Sequence, residues 1–267
     1  MPELICPLCR ERLHRDGPAW RCEAGHAFDI AREGYVNLLP VQHKHSKAPG
    51  DNPEMVVARR EFLDAGHYAP LRERLLAMIR TLRPDRMVDI GCGEGYYTGA
   101  FAEAVSDLTG LDIAKPAVRL AAKRIPRVQW IVGSGALLPL ADGSVDLVTS
   151  LFSPLPVQEM RRVLRPEGRL LVATPSPDHL WNIREALFGE VRPHEPAKFI
   201  DTLAAAFRLE NTEEVRTSLE LSQHALRQLL MMTPYVWKAR PEQRQALGAH
   251  ATWRTEASFT IMQFVRV

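Results

Sequence analysis

The stretch Val88-Asp-Ile-Gly-Cys-Gly-Glu-Gly-Tyr-Tyr97 constrains this chain more than any other, because a short apolar run ends in an acid and opens into three alternating glycines. Residues without a Cβ take positive φ cheaply and let a ligand approach the backbone, so Gly91, Gly93 and Gly95 predict a strand-to-helix turn. The helix expected from Tyr97 presents free N–H groups to the same crevice, where a nucleotide-like ligand should sit. On either side of this turn, apolar runs alternate with helical patterns as a doubly wound parallel sheet requires. Strands are predicted over 87–90, 108–111, 128–132, 145–150 and 168–173, and helices over 97–105, 115–124 and 155–164. Beyond them a helix begins at Asp178, others cover 197–206 and 222–232, and the segments 209–221 and 256–267 suit closing antiparallel strands.

The residues around the glycines decide which ligand fits. A nicotinamide site usually reads G-x-G-x-x-G, sets a pyrophosphate on the helix N-terminus and has no acid ahead of the first glycine. Here Asp89 precedes the glycines, the third glycine comes one residue early, and Asp112 ends the next apolar run, Leu108-Thr-Gly-Leu-Asp-Ile. Acids repel a pyrophosphate but accept an ammonium group. The pattern therefore resembles the S-adenosylmethionine (SAM) site of Rossmann-like methyltransferases, which implies that Asp112 meets the ribose hydroxyls and the glycine turn lies by the methionine moiety. Ligands in such sheets lie outside the carboxyl ends of the strands, which selects Asp89, Gly93, Glu94, Asp112, Ser134, Leu151 and Phe152. Many methyltransferases carry an acid after the third strand; this chain has Gly133-Ser134-Gly135, so Ser134 or the backbone is left to meet the adenine. Phe152, in Ser150-Leu-Phe-Ser-Pro-Leu-Pro156, either stacks on a target base or is an ordinary buried core aromatic.

Three of the four cysteines fall in the first 22 residues, as Cys6-Pro-Leu-Cys9 and Cys22-Glu-Ala-Gly-His26. The spacing C-x2-C-x12-C-x3-H provides two short-range pairs, each able to fill two corners of a tetrahedron, so Cys6, Cys9, Cys22 and His26 predict a closed structural Zn2+ site. A C-x-x-C redox pair would not need the second pair. His14 lies between the pairs as a substitute ligand or a surface residue. Short strands are expected at Trp20–Cys22 and Ala27–Ile30, an extended segment over 34–40, and then Val41-Gln-His-Lys-His-Ser-Lys47. That run holds two lysines, two histidines and no acid, and is either a solvated loop or, as its place beside a zinc knuckle suggests, a phosphate-contacting arm. A helix from Pro53 to Gly66 and another from Pro70 to Pro84 make a neck, and Tyr68 at their junction either packs beneath it or closes over the cofactor.

The expected division is thus a zinc-binding, RNA-recognition unit over 1–47, a helical neck over 48–84 and a methyltransferase domain over 85–267. A net charge of +2 over 267 residues gives little overall pull toward polyanions, so any nucleic-acid surface must be local. No run of about 18 apolar residues exists and the N-terminus lacks the order of a signal peptide, which leads us to expect no membrane partner and a cytoplasmic chain.

Read together, these blocks resemble the bacterial 23S ribosomal RNA (guanine-N1)-methyltransferases over nearly the whole chain. The resemblance rests on the four metal-type residues and on Glu33-Gly-Tyr-Val-Asn-Leu-Leu-Pro-Val-Gln-His-Lys44, Phe62-Leu-Asp-Ala-Gly-His-Tyr68 and Asp89 to Thr98. It is completed by Ala173-Thr-Pro175 with His179-Leu180, and by Met232-Thr-Pro-Tyr-Val-Trp237. It implies zinc on those four residues, SAM held by Tyr68, Gly93, Glu94 and His179, and one N1-methylguanine in a hairpin of the large-subunit RNA as product. One departure, Arg165-Pro-Glu-Gly168 in place of two glycines, should alter a loop and not the chemistry. The N1 proton needs an acceptor. Asp178, His179 and Glu195 lie in segments that reach toward the pocket, and the residues do not choose among them. A small-molecule methyltransferase with a zinc cap and a non-enzymatic zinc-dependent RNA binder are the competing readings, and the oligomeric state is open, a homodimer included.

Overall fold

Three short antiparallel strands, β1 (His14–Asp16), β2 (Ala19–Arg21) and β3 (Ala27–Asp29), carry the cysteine and histidine pairs. Every side chain of β1 is exposed, so this ribbon has almost no core of its own and depends on its metal and on what it packs against. The computed structural model describes residues 2–40 and 49–267, the side chains of Val236 and Trp237 apart. The basic arm expected over 41–47 lies outside the described residues.

The extended segment after the ribbon does more than the sequence indicates. β4 (Tyr35–Asn37) is an added parallel edge strand of the main sheet, with Tyr35, Val36 and Asn37 opposite Trp130, Ile131 and Val132. Tyr35 and Val36 are buried, which is why the strand seeks a sheet and not solvent. The neck follows as α1 (Pro53–Asp64) and α2 (Ala69–Leu82). Asn52 caps α1 by accepting from the Met55 amide at 2.9 Å, with Pro53 in the first turn where its missing N–H costs nothing. α2 buries Leu71, Leu75 and Ile79 along one face and ends on Arg83 in the left-handed region, φ 49°, just before Pro84.

The sheet proper contains β5 (Arg86–Ile90), β6 (Asp107–Asp112), β7 (Gln129–Val132), β8 (Val145–Leu151), β9 (Leu164–Pro175), β10 (Phe207–Ser222) and β11 (Thr252–Arg266). Its spatial order is β10-β11-β9-β8-β5-β6-β7-β4, parallel throughout except that β11 runs antiparallel to both β9 and β10. Three helices cross over between the parallel strands: α3 (Tyr96–Phe101), α4 (Lys115–Arg124) and α5 (Val157–Val163). α3 is shorter than expected, because the chain turns at Ala102–Ala104 to enter β6. Between β9 and β10 lie α6 (Trp181–Phe188) and α7 (Ala197–Leu203), and between β10 and β11 lie α8 (Gln223–Met232), α9 (Tyr235–Lys238) and α10 (Pro241–Gly248). The Arg165–Gly168 departure is a bulge in β9: Val145 pairs with Leu164 and Leu147 with Arg169, and Glu167 adopts φ 60°.

Successive residues of a strand face opposite layers, so Met87 joins one core with Leu71, Phe101, Trp130 and Phe259, while Val88 joins another with Ile131, Val148, Met160 and Phe264. The second core also takes in Leu4, Cys6 and Leu13 of the ribbon. Backbone bonds reinforce that union, with the Ile5 amide donating to Pro139 O at 3.0 Å and the Ala141 amide to Glu3 O at 3.0 Å.

Candidate cofactor crevice and metal centre

In the ribbon, tight turns bring the two pairs together. The Arg10 amide donates to Cys6 O at 2.9 Å and the Gly25 amide to Cys22 O at 3.0 Å, so each pair presents its ligands from one bend. Donor atoms of Cys6, Cys9, Cys22 and His26 all lie within 4.8 Å of one another. A zinc tetrahedron with bonds of about 2.3 Å to sulfur and about 2.0 Å to nitrogen has edges of roughly 3.8 Å between sulfurs and roughly 3.5 Å from sulfur to nitrogen. The observed edges are 3.7 Å for Cys9 Sγ to Cys22 Sγ, 3.5 Å for Cys6 Sγ to His26 Nδ1 and 3.4 Å for Cys22 Sγ to His26 Nδ1. The donor set and its dimensions both fit Zn2+. His14 is outside this set, exposed on β1.

At the carboxyl ends of β5 and β6 the three glycines all take positive φ, 76° at Gly91, 56° at Gly93 and 87° at Gly95. Their surroundings differ. A Cβ on Gly91 would lie 2.5 Å from Ser153 Cβ and one on Gly95 2.9 Å from Trp130 Cη2, whereas one on Gly93 would meet nothing within 4 Å. Gly91 and Gly95 therefore let the turn pack, and Gly93 is the one that fronts the open crevice. Asp112 holds this arrangement by accepting from the Gly93 amide at 2.9 Å and the Ala114 amide at 2.7 Å, while burial pushes its carboxyl above the usual range.

Asp89 sits deeper. Its two oxygens accept from Thr98 Oγ1 at 2.5 Å and Thr149 Oγ1 at 2.7 Å, tying β5 to α3 and β8, and burial raises its carboxyl to about 6 against the pull of those hydroxyls. Glu94 is the opposite case. It is 2 % exposed, its Oε1 has no hydrogen-bond partner among the described residues, and burial raises its carboxyl to about 7. The hydroxyl of Tyr97 is likewise buried and unpartnered. Orphaned buried polar atoms are rare in folded proteins, and two beside an open glycine backbone fit a polar ligand that completes them. Ser134 caps the 3-10 turn Gly135–Leu137, accepting from the Ala136 amide at 3.2 Å.

An aromatic wall rises from the turn. Tyr68 is buried edge-on to Phe259 at 4.7 Å and to Phe62 at 5.2 Å, with the His179 ring at 6.4 Å. His179 Nδ1 lies 2.8 Å from Ser258 O, and burial lowers its pKa to about 4, so the ring is neutral at pH 7. Phe152 settles between its two readings: it is 45 % exposed, held at φ 56°, and sits 5.6 Å from Phe259 and 6.4 Å from Tyr97, so it is no buried core residue. Of the candidate proton acceptors, Asp178 is engaged by Arg216 Nη1 and Ser258 Oγ, both at 2.7 Å, and Glu195 by Lys198 at 2.5 Å. Sequence reasoning missed His194, whose ring lies 6.4 Å from His179 and whose Nε2 is 3.5 Å from the Tyr235 hydroxyl, and it missed Phe259, far along the chain in a plain strand pattern. Burial lowers the His194 pKa to about 4 as well.

Comparison with known proteins agrees with this geometry. The zinc-ribbon family model described as "RlmA, N-terminal" matches residues 4–47, and a methyltransferase-domain model matches residues 88–172. The chain is 41% identical over 248 residues to the 23S rRNA (guanine(748)-N(1))-methyltransferase of Streptomyces fradiae, covering 90% of this chain and 88% of that one. It is 39% identical over 265 residues to a Micromonospora griseorubida relative, covering 90% and 89%. The N-methyltransferase NodS of Bradyrhizobium japonicum, solved with S-adenosyl-L-homocysteine, shares the fold at 16% identity, with a TM-score of 0.50 over 80% of this chain and 99% of that one. With the zinc tetrahedron, the glycine crevice and near full-length likeness in one polypeptide, this SAM-dependent methyltransferase belongs to the RlmA-type family of 23S rRNA (guanine-N1)-methyltransferases.

Proposed function

We propose that the chain methylates N1 of one guanine in a hairpin of 23S ribosomal RNA, in the cytoplasm, with residues 1–47 contacting RNA, 48–84 forming the neck and 85–267 carrying the chemistry. The observation that carries the reading is Phe152, a half-exposed aromatic at the carboxyl end of β8, in ring contact with Tyr97 of the glycine-turn helix. An enzyme acting on a base needs a flat apolar surface beside the methyl donor, since the base must leave its stack and be held in the pocket. The S. fradiae relative, named for this reaction, supports the choice of substrate. The oligomeric state, a homodimer included, is to be read from sedimentation of the purified chain.

In this reading Tyr68, Gly91, Gly93, Glu94, Asp112, Ser134 and His179 serve the cofactor, Asp89, expected there too, braces the turn from beneath through Thr98 and Thr149, and Cys6, Cys9, Cys22 and His26 hold zinc. The cofactor supplies an electrophilic methyl group when bound, and the metal supplies a structural node with no open position. Glu94 offers a carboxylate oxygen and Tyr97 a hydroxyl, both without a partner among the described residues, which fix the orientation of a polar ligand. Asp112 keeps the turn in its ligand-ready shape through the Gly93 amide. Phe152, backed by the buried ring of Phe259, holds the guanine ring in place, and such positioning accounts for most of the acceleration expected of an in-line transfer. The N1 proton must leave during the reaction. With Asp178 and Glu195 committed to cations, the neutral rings of His179 and His194 are the nitrogen bases along this wall.

Incubation of the purified protein with labelled SAM and undermodified ribosomal RNA tests the proposal. Label should appear in one RNA fragment as N1-methylguanine on mass mapping; label confined to small molecules would remove the RNA reading.

A further inference from the structure

The crevice has an unusual charge inventory. Glu94, Asp112 and Asp51 bring three carboxylates to it, yet SAM carries a carboxylate of its own beside its ammonium and sulfonium. A carboxylate entering among three acids needs a cation. We propose that Arg59 is that cation, the counter-ion for the carboxylate of the cofactor's methionine, set in place by α1 and by the carbonyl of Met232.

Arg59 stands one turn after Val56 on α1, and Val56 packs on Ala114 and Ala117 at the start of α4, directly after Asp112. This places α1 across the carboxyl end of β6. The segment entering α1 is equally close: a Cβ on Gly50 would lie 2.8 Å from Ala114 Cβ. From this position Arg59 Nη1 pairs with Asp51, and Nη2 donates to Met232 O at 3.1 Å. A guanidinium has five N–H donors, so these two bonds leave others for a ligand carboxylate in the planar geometry that arginine matches. Its field reaches the crevice, since Arg59 opposes the burial-driven rise in the carboxyls of Glu94 and Asp112.

Among the described residues, Arg59 acts on both Glu94 and Asp112, and the neighbouring cations are placed elsewhere. Arg124 pairs with Asp64 at 3.0 Å, and Arg72 lies over the Tyr96 ring at 4.8 Å. His179 cannot serve as a cation at pH 7, because burial lowers its pKa to about 4. The division of labour that results is simple. The acids receive the ammonium and the positive sulfur, and Arg59 receives the one negative group. Because the same guanidinium binds the end of α8, the cofactor carboxylate would sit on a latch between the neck and α8.

This inference rests on SAM occupying the crevice, and the test separates the two claims. Decarboxylated SAM keeps the sulfonium and the ammonium and lacks only the carboxylate. Calorimetric titration of the full chain with SAM and with decarboxylated SAM should show a wild-type preference for SAM on the order of 10- to 100-fold, the size of a charge-assisted hydrogen bond. Arg59→Met should abolish that preference while decarboxylated SAM still binds, and Arg59→Lys should restore part of it. An unchanged preference in Arg59→Met, or equal weakening of both ligands, overturns the assignment to Arg59. Failure of the wild type to bind either ligand overturns the cofactor assignment itself.

Discussion

Replacing Glu94 with Gln should stabilise the cofactor-free protein at pH 8 while weakening its hold on SAM. Burial raises the Glu94 carboxyl from an ordinary 4.5 to about 7. A raised folded-state pKa stabilises the fold in full below the unfolded value, near pH 4.5, and that contribution is lost as pH rises through about 7. A shift of this size corresponds to about 3 kcal/mol between the protonated and ionised forms, at about 1.4 kcal/mol per pH unit. Glutamine mimics the neutral form, so at pH 8 the Glu94→Gln protein should be more stable than wild type by up to about 3 kcal/mol, with the two converging toward pH 4.5. Asp89 and Asp112 are also raised by burial, but both proteins contain them, so the difference between the two urea-unfolding series isolates Glu94. Binding should move in the other direction. Wild-type affinity for SAM should increase as pH rises through about 7, where the carboxylate forms and can meet an ammonium, while the variant should be flat across that range. Zinc-loaded protein, urea unfolding at pH 5 and pH 8 and calorimetry at the same values are sufficient. A variant that is less stable at pH 8, or a wild-type affinity that does not change between pH 6 and pH 8, would refute the account of Glu94.

Other perturbations reach other parts of the molecule. Cys22→Ser should abolish stoichiometric zinc by mass spectrometry and expose the ribbon to protease, at a cost of several kcal/mol because the metal replaces a core there; retained zinc at full stoichiometry would disprove the tetrahedron. Phe152→Ala should lower methyl transfer to RNA by a factor equivalent to roughly 1–3 kcal/mol of base stacking, with SAM affinity unchanged, and equal activity would remove the stacking role. Charge reversal of Lys44 and Lys47 should weaken RNA binding and reduce its dependence on log salt by about 2 or more, measured by filter binding at several salt concentrations. A small-molecule methyltransferase would be indifferent to that change.

The parts of this molecule legible from sequence are those where the backbone itself dictates residue type. Gly91, Gly93 and Gly95 announce a turn because positive φ penalises any side chain, and Cys6, Cys9, Cys22 and His26 announce a tetrahedron because only soft ligands at short spacing can close one. Strand and helix order followed from periodicity, with Asn52 and Ser222 falling where helix caps belong. What remained hidden depends on partners far along the chain. Asp89 looked like a ligand-facing acid, yet its oxygens meet Thr98 and Thr149, the second of them 60 residues away. Arg59 reads as one of many surface helix arginines until Asp51 and the Met232 carbonyl are seen around it. The sequence left Phe152 open between a base-stacking and a buried ring, because the left-handed φ of 56° that goes with its exposure is not legible in a non-glycine residue. β4 is only three residues long, too short for periodicity to reveal that it would join a sheet over 90 residues further on.

That last strand fixes the ribbon against the sheet. Because Tyr35–Asn37 is hydrogen-bonded into the same sheet whose strand ends form the methyl-donor crevice, the distance from the metal ribbon to the transfer point is built into the backbone and not left to a tether. If the ribbon grips a ribosomal hairpin as proposed, the hairpin would be offered to the crevice at one fixed reach, and a guanine a few nucleotides nearer or farther along the stem would fall outside it. The ruler would thus choose the target by position, leaving the pocket to recognise only the kind of base.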